Sequence, residues 1–343
     1  MIPATILLIS GLPLDRDTSF KRQLVLLGRF LRRLGFESFL IGPSPDIGRI
    51  VKEKKPAAAI LLGYHDQFSF LRDDIDIPVL LWAQLSRPVD PRKFGNATVV
   101  PLTPATGRFL KSSGVERVGP VIPHGVDTDI YRLFVAEEKK SMRKRYGIGD
   151  GFVIGAVAAN TKRKKLDRII EAFSLFATHG GDGTLLIKTD RTKGLNGTDL
   201  YDLSERHGVQ KKVLIMEETF GEQRMAEVYN LMDLYITLSE WEGFCIPVIE
   251  AMACGVPVAT HRVQGPGEIV PYEDLMVSGS DEVFDGKTRL LLADPATASK
   301  VLFYAYHNRD RLSELGALGR QVVERLYDIR VVAETWEKLI RNG

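Results

Sequence analysis

Cysteine is nearly absent: Cys245 and Cys254 are the only two in 343 residues. They offer neither a disulfide framework nor a metal knuckle, so the expected compartment is reducing and cytoplasmic. No run of eighteen apolar residues occurs, and the apolar stretch from Ala4 to Ser10 is too short for the core of a secretory signal. The expectation is a soluble or at most membrane-associated protein. Neither sign of charge dominates, with a formal net charge of +2. There is no aromatic platform beside the basic residues, which argues against nucleic acid as a partner. A Walker loop, a Gly-x-Gly-x-x-Gly turn after a strand and an internal repeat are all missing. The spaced aspartates Asp15/Asp17, Asp74/Asp76 and Asp127/Asp129 lack a context that would make them metal ligands, so the expected metal and cofactor content is none.

What is present is an alternation of strand and helix in a chain too long for one ordinary core. Thr5–Ser10, Ser38–Ile41, Ala58–Leu62, Val79–Trp82 and Ala97–Leu102 read as buried strands of a parallel, doubly wound sheet. A helix from Ser19 to Leu34 carries the apolar stripe Leu24, Leu27, Leu31 and Leu34. Its other face holds Lys21, Arg22, Arg29, Arg32 and Arg33, and residues 1–135 contain 18 Lys and Arg against 13 Asp and Glu. The helix reads as core-packed with a solvated basic face, and the alternative reading is a peripheral contact with anionic lipid headgroups. A second α/β unit follows: strands at Phe152–Ala158, Thr184–Lys188 and Val213–Met216, a helix at Leu166–Thr178, and helical residues Ala226–Leu231 before an apolar strand, Leu234–Leu238. Gly180-Gly181-Asp182-Gly183-Thr184 looks like a kinase phosphate loop, but it follows a helix-period pattern and reads as a helix-to-strand turn.

The strand Leu234–Leu238 runs into Ser239-Glu240-Trp241-Glu242-Gly243-Phe244-Cys245-Ile246-Pro247-Val248-Ile249-Glu250. Pro247 suits the first turn of a helix because it has no N–H to leave unpaired. The amides near Phe244, Cys245 and Ile246 then lie at the positive end of a helix dipole, which is an anion site for a phosphate or diphosphate. Glu250 is long enough to accept hydrogen bonds from hydroxyls beside that anion. Two carboxylates flanking an anion site suggest a sugar nucleotide. With seven residues between Glu242 and Glu250, the string Glu-Gly-Phe-x-x-Pro-x-x-Glu-Ala-Met-Ala-Cys-Gly-x-Pro-Val resembles the signature of family-4 retaining glycosyltransferases of the GT-B fold. Val121–Asp127 and the closing segment from Arg320 through Trp336 resemble the same family.

This resemblance implies two Rossmann-like domains facing a cleft: an acceptor-side domain at 1–135 with a returning helix at about 326–343, and a donor domain at 136–325. It implies that Glu242 faces the donor sugar, that Glu250 holds the ribose hydroxyls, and that Gly243, Phe244, Cys245 and Ile246 line the diphosphate. Cys245 stands where the family usually has Gly, and a left-handed backbone there would strain it. In the basic loop Ala159–Lys165, Lys164 matches the family lysine that neutralises the leaving diphosphate. The family arginine is replaced by Ala159, which leaves Arg163 to supply a second charge. His65 and Gly11, after strands of the first half, are the further candidates for catalysis and donor contact. The expected activity is transfer of a glucose- or mannose-type hexose from a UDP- or GDP-sugar to a hydroxyl of a glycan or lipid-linked acceptor, without a metal. The alternatives are an epimerase or phosphorylase of the same fold, or a nonenzymatic nucleotide-sugar binding protein.

Overall fold

The computed structural model describes residues 3–15, 17–44, 46–63, 76–85, 90–194, 198–284 and 289–342. The chain divides into two compact units, Met1–Asp127 with Arg325–Gly343, and Thr128–Glu324.

The first unit contains β1 (Thr5–Ser10), α1 (Ser19–Arg33), β2 (Glu37–Ile41), α2 (Ile47–Lys54), β3 (Ala58–Gly63), β4 (Val79–Ala83), β5 (Thr98–Pro101) and α3 (Pro104–Ser112). Its strands pair in parallel in the order β2-β1-β3-β4-β5. β1, β3 and β4 are near-continuous apolar runs because helices cover both faces of a parallel sheet. β2 lies at the edge of the sheet, and Glu37 is exposed with the rest half-buried, so the expectation of a fully buried strand is corrected there. Thr18 caps α1 by accepting from Lys21 N at 3.2 Å, and Thr103 caps α3 by accepting from Thr106 N at 3.2 Å. The basic residues of α1 are largely engaged within the unit. Lys21 Nζ donates to Leu14 O, Arg22 pairs with Asp17, Arg29 lies 3.7 Å from Asp127, Arg32 donates to Ser38 Oγ, and Arg33 stacks on Phe30.

The second unit begins with α4 (Ala136–Arg145), β6 (Phe152–Val157), α5 (Leu166–Thr178), β7 (Gly183–Lys188), α6 (Leu200–Arg206), β8 (Val213–Met216), α7 (Glu222–Asn230) and β9 (Leu234–Ile236). It continues with α8 (Ile246–Ala253), β10 (Val258–His261), α9 (Pro266–Ile269), β11 (Met276–Val277), the antiparallel pair β12 (Gly279–Phe284) and β13 (Arg289–Ala293), and α10 (Pro295–His307). α11 (Arg309–Leu326) leads back, and α12 (Ile329–Asn342) belongs to the first unit, where Val126 N donates to Tyr327 O at 2.9 Å and Val126 O accepts from Ile329 N at 3.0 Å. The six-stranded parallel sheet has the order β11-β10-β9-β6-β7-β8. The chain enters at β6, moves outward through β7 and β8, then reverses to β9, β10 and β11. The topological switch point therefore lies between β6 and β9, the place where open α/β sheets bind ligands beyond the carboxyl ends of their strands. Among the described residues no helix is long and apolar enough to cross a membrane.

Among the described residues, one buried histidine in each unit gives the fold a pH signature. Desolvation lowers the His124 pKa to about 3, and desolvation with a push from Arg168 lowers that of His261 to about 4. In the unfolded chain these rings take up a proton near pH 6.5, so acid favours unfolding. His261 contributes stability that is present above about pH 6.5 and falls away toward pH 4, a loss of about 3 kcal/mol across that window. His261→Leu should flatten that part of the stability–pH curve measured by urea unfolding. An unchanged slope would show that the ring titrates normally.

Candidate active site

The loop after β6 and the loop after β9 meet at the switch point. After β6 the chain makes one turn of 3-10 helix at Lys162–Lys164, and Lys165 takes a left-handed conformation, φ 50°, before α5 begins. After β9 it runs through Ser239–Cys245 into α8. Glu240 N donates to Arg163 O at 2.8 Å, and Arg163 Nη1 donates to Trp241 O at 2.7 Å while its guanidinium stacks on the Trp241 ring at 4.5 Å. Lys165 Nζ lies 3.5 Å from Glu240 Oε2. Two loops far apart in sequence thus form one surface.

Glu242 sits in the middle of that surface. Its side chain is 6% exposed, with Lys164 Nζ on Oε1 and Arg163 Nη1 on Oε2 at 2.9 Å. Burial alone would raise the pKa of this carboxyl, but Lys164 and Arg163 outweigh it and hold Glu242 below the usual carboxylate range. The result is a buried carboxylate under two cations that keep a residual positive charge at the carboxyl edge of the sheet.

α8 begins beside this surface. Pro247 lies in its first turn, and its first N–H groups have no acceptor inside the helix. Cys245 is the N-cap with φ 78° and ψ 76°, the left-handed region that glycine adopts freely and cysteine does not. Gly265 backs this turn: its φ is +85°, and a Cβ there would come within 2.6 Å of Phe244 O. The Cys245 thiol is buried, and desolvation followed by the charge of Glu242 pushes its pKa up to about 12, so it stays neutral. Cys245→Gly should raise stability by about 1 kcal/mol, from release of strain of about 1–3 kcal/mol offset by the added freedom of glycine in the unfolded chain. A thermal melt with no gain would mean the turn is unstrained.

Glu250 projects from α8 one turn further on, half-buried, and receives the Tyr229 hydroxyl on Oε2 at 2.6 Å. The Tyr131 ring packs beside Tyr229, centroids 6.1 Å apart, and its phenol lies in the field of the same carboxylate. Burial, then Glu250, raises the pKa of both phenols well above the ordinary value. Sequence reasoning missed these two tyrosines as well as Glu240 and Lys165. The helix period of Met225, Ala226 and Tyr229 was the available signal for Tyr229, and it reads only as core.

The structure therefore gathers Arg163, Lys164, Glu242, Gly243, Phe244, Cys245, Ile246 and Glu250 within one unit. Gly11 belongs to the first unit, at the end of β1, where its N–H donates to Leu62 O at 2.9 Å. His65 lies outside the described residues. Another charged cluster, the partly buried Asp233 and Lys139 with the buried Arg143, stands just before β9 at the amino edge. Asp233 also accepts from Val153 N at 2.9 Å, and Arg143 donates to Leu231 O and Gly151 O, so this cluster fastens α4 to the sheet. Among the described residues no group of three His, Cys, Asp or Glu side chains could hold a metal ion.

Comparison with known proteins places this arrangement. Residues 138–308 match the family Glycosyl transferases group 1. The serotype-specific mannosyltransferase WbdA of Escherichia coli is 25% identical over 148 residues, 43% of this chain and 18% of that protein, so the chain spans under a fifth of the relative's length. Sucrose-phosphate synthase from Thermosynechococcus elongatus superposes with a TM-score of 0.82 at 16% identity, over 99% of this chain and 98% of the other. Anabaena HepE in complex with UDP-glucose superposes with a TM-score of 0.80 at 12% identity, over 99% and 100%. Residues 138–308, which carry Arg163, Lys164, Glu242 and Glu250, belong to the glycosyl transferases group 1, in a chain with the GT-B fold.

Proposed function

We propose that this protein is a retaining glycosyltransferase that moves a glucose- or mannose-type hexose from a UDP- or GDP-sugar to a hydroxyl of a glycan or lipid-linked acceptor. The observation that carries this reading is the meeting of Lys164, Arg163 and Glu242 at the switch point, beside the first turn of α8, with Glu250 one turn on. The E. coli relative is named a mannosyltransferase and Anabaena HepE holds UDP-glucose, which favours a nucleotide-sugar donor here too.

In this reading the diphosphate lies across the amides at the start of α8 and against Lys164, while Glu250 accepts hydrogen bonds from ribose hydroxyls and Glu242 from sugar hydroxyls. The bond between the anomeric carbon and the diphosphate oxygen breaks, and its electron pair passes to the diphosphate. The acceptor oxygen bonds to the anomeric carbon on the same face, and its proton goes to the departing phosphate oxygen. Lys164, Arg163 and the helix amides stabilise the charge that develops, in a site already oriented for it. They supply the cationic role that a metal plays elsewhere, so activity is expected to survive EDTA.

Product analysis with a panel of UDP- and GDP-hexoses and simple glycan acceptors tests the proposal. Transfer with released nucleoside diphosphate and a retained anomeric configuration supports it. Binding without turnover, conversion of the donor sugar to its epimer, or a manganese requirement after EDTA would overturn the corresponding part.

A further inference from the structure

We infer that Tyr229 and Tyr131 are positioning residues of the donor site: the Tyr229 hydroxyl, with the Tyr131 phenol packed beside it, fixes the carboxylate of Glu250 so that it is presented to the ribose. This rests on the reading of Glu250 as the ribose ligand. Glu250 is a long, half-exposed side chain whose terminal torsion is broad, and left alone it would sample many orientations. The two phenols are instead buried, Tyr229 at 0% and Tyr131 at 4% exposure, with ring centroids 6.1 Å apart. A buried hydroxyl needs a partner: Tyr229 takes the Glu250 carboxylate at 2.6 Å in a charge-assisted hydrogen bond stronger than one to a neutral carbonyl, and the Tyr131 phenol, packed beside Tyr229, lies in the field of the same carboxylate.

The elements that carry the three side chains are locked to one another. Asn230, next to Tyr229 on α7, donates to Arg132 O at 2.9 Å and accepts from Phe134 N at 2.9 Å, gripping the segment that bears Tyr131. Arg320 on α11 donates to Tyr131 O at 2.6 Å and also to Ala253 O at the end of α8. The phenols are thus held from behind, and their rigidity passes to Glu250 before any ligand arrives. Such preorganisation raises affinity by lowering the ordering cost at binding. Its effect should appear in recognition of the ribose rather than in the chemistry at the anomeric carbon.

The test is calorimetric titration of UDP, or GDP if the panel selects it, and of its 2′,3′-dideoxy analogue, into the full chain and the variants Tyr229→Phe, Tyr131→Phe and Glu250→Ala. In the wild type, loss of the ribose hydroxyls should weaken binding by about tenfold or more, the worth of hydrogen bonds to a charged group. Glu250→Ala should bind both ligands alike. Each phenylalanine variant should shrink the discrimination to about threefold or less and raise the donor KM more than it lowers kcat. Discrimination unchanged in both phenylalanine variants, with Glu250→Ala abolishing it, overturns the positioning role and leaves the ribose role standing. Discrimination unchanged in Glu250→Ala overturns the ribose role itself.

Discussion

Lys164→Ala is expected to lower turnover by about 10²–10³ while weakening nucleotide-sugar binding by less than about tenfold. The asymmetry follows from when charge appears. On the proposed reading the ground-state diphosphate already meets helix amides, and Lys164 is shared with Glu242. In the transition state the leaving oxygen gains an electron pair, and an oriented cation in a partly dehydrated site is worth most at that moment. Removing one such donor costs a factor of this size in other preorganised sites. Saturation kinetics together with calorimetric binding separate the two effects. Equal losses in kcat/KM and in affinity, with kcat unchanged, would make Lys164 a simple binding group.

Glu242→Gln should act in the opposite sense on the bare nucleotide. The substitution is nearly isosteric but removes the negative charge beneath Lys164 and Arg163, leaving two cations without their carboxylate. Affinity for UDP or GDP should hold or rise by a few-fold, because a diphosphate now neutralises both cations. Sugar transfer should fall by about 10² or more as the sugar exchanges a charged acceptor for a neutral amide. Stability should fall by about 1–3 kcal/mol, less than for a fully buried pair because Lys164 and Arg163 retain 14% and 27% exposure. Parallel loss of affinity for the nucleotide-sugar and for the bare nucleotide would contradict a sugar-facing Glu242.

The parts of the molecule legible in the sequence are those set by local periodicity. The parallel strands of both sheets follow from short apolar runs between helical segments, and α5 spans Leu166–Thr178 as its pattern predicts. The turn Gly180–Gly183 joins α5 to β7. What local pattern does not report is partnership. Lys164 and Glu242 are 78 residues apart, and only the strand order that places β6 beside β9 brings them together. Tyr131 reads as an apolar residue in a loop, and its engagement with Glu250 depends on packing across three elements. The basic stripe of α1 reads as a free charged face, yet Arg22, Arg29 and Arg32 each meet a partner from a neighbouring turn, strand or loop of the same unit. At Cys245 the resemblance marks a residue that a left-handed turn would strain, and the turn is left-handed.

A crystal structure with the donor that supports turnover tests the central claim most directly. Diphosphate oxygens are expected within about 3 Å of Lys164 Nζ and of the backbone N–H groups at the start of α8, with the ribose hydroxyls on Glu250. A donor seated away from the switch point between β6 and β9, with the Lys164–Glu242 pair untouched, would contradict it.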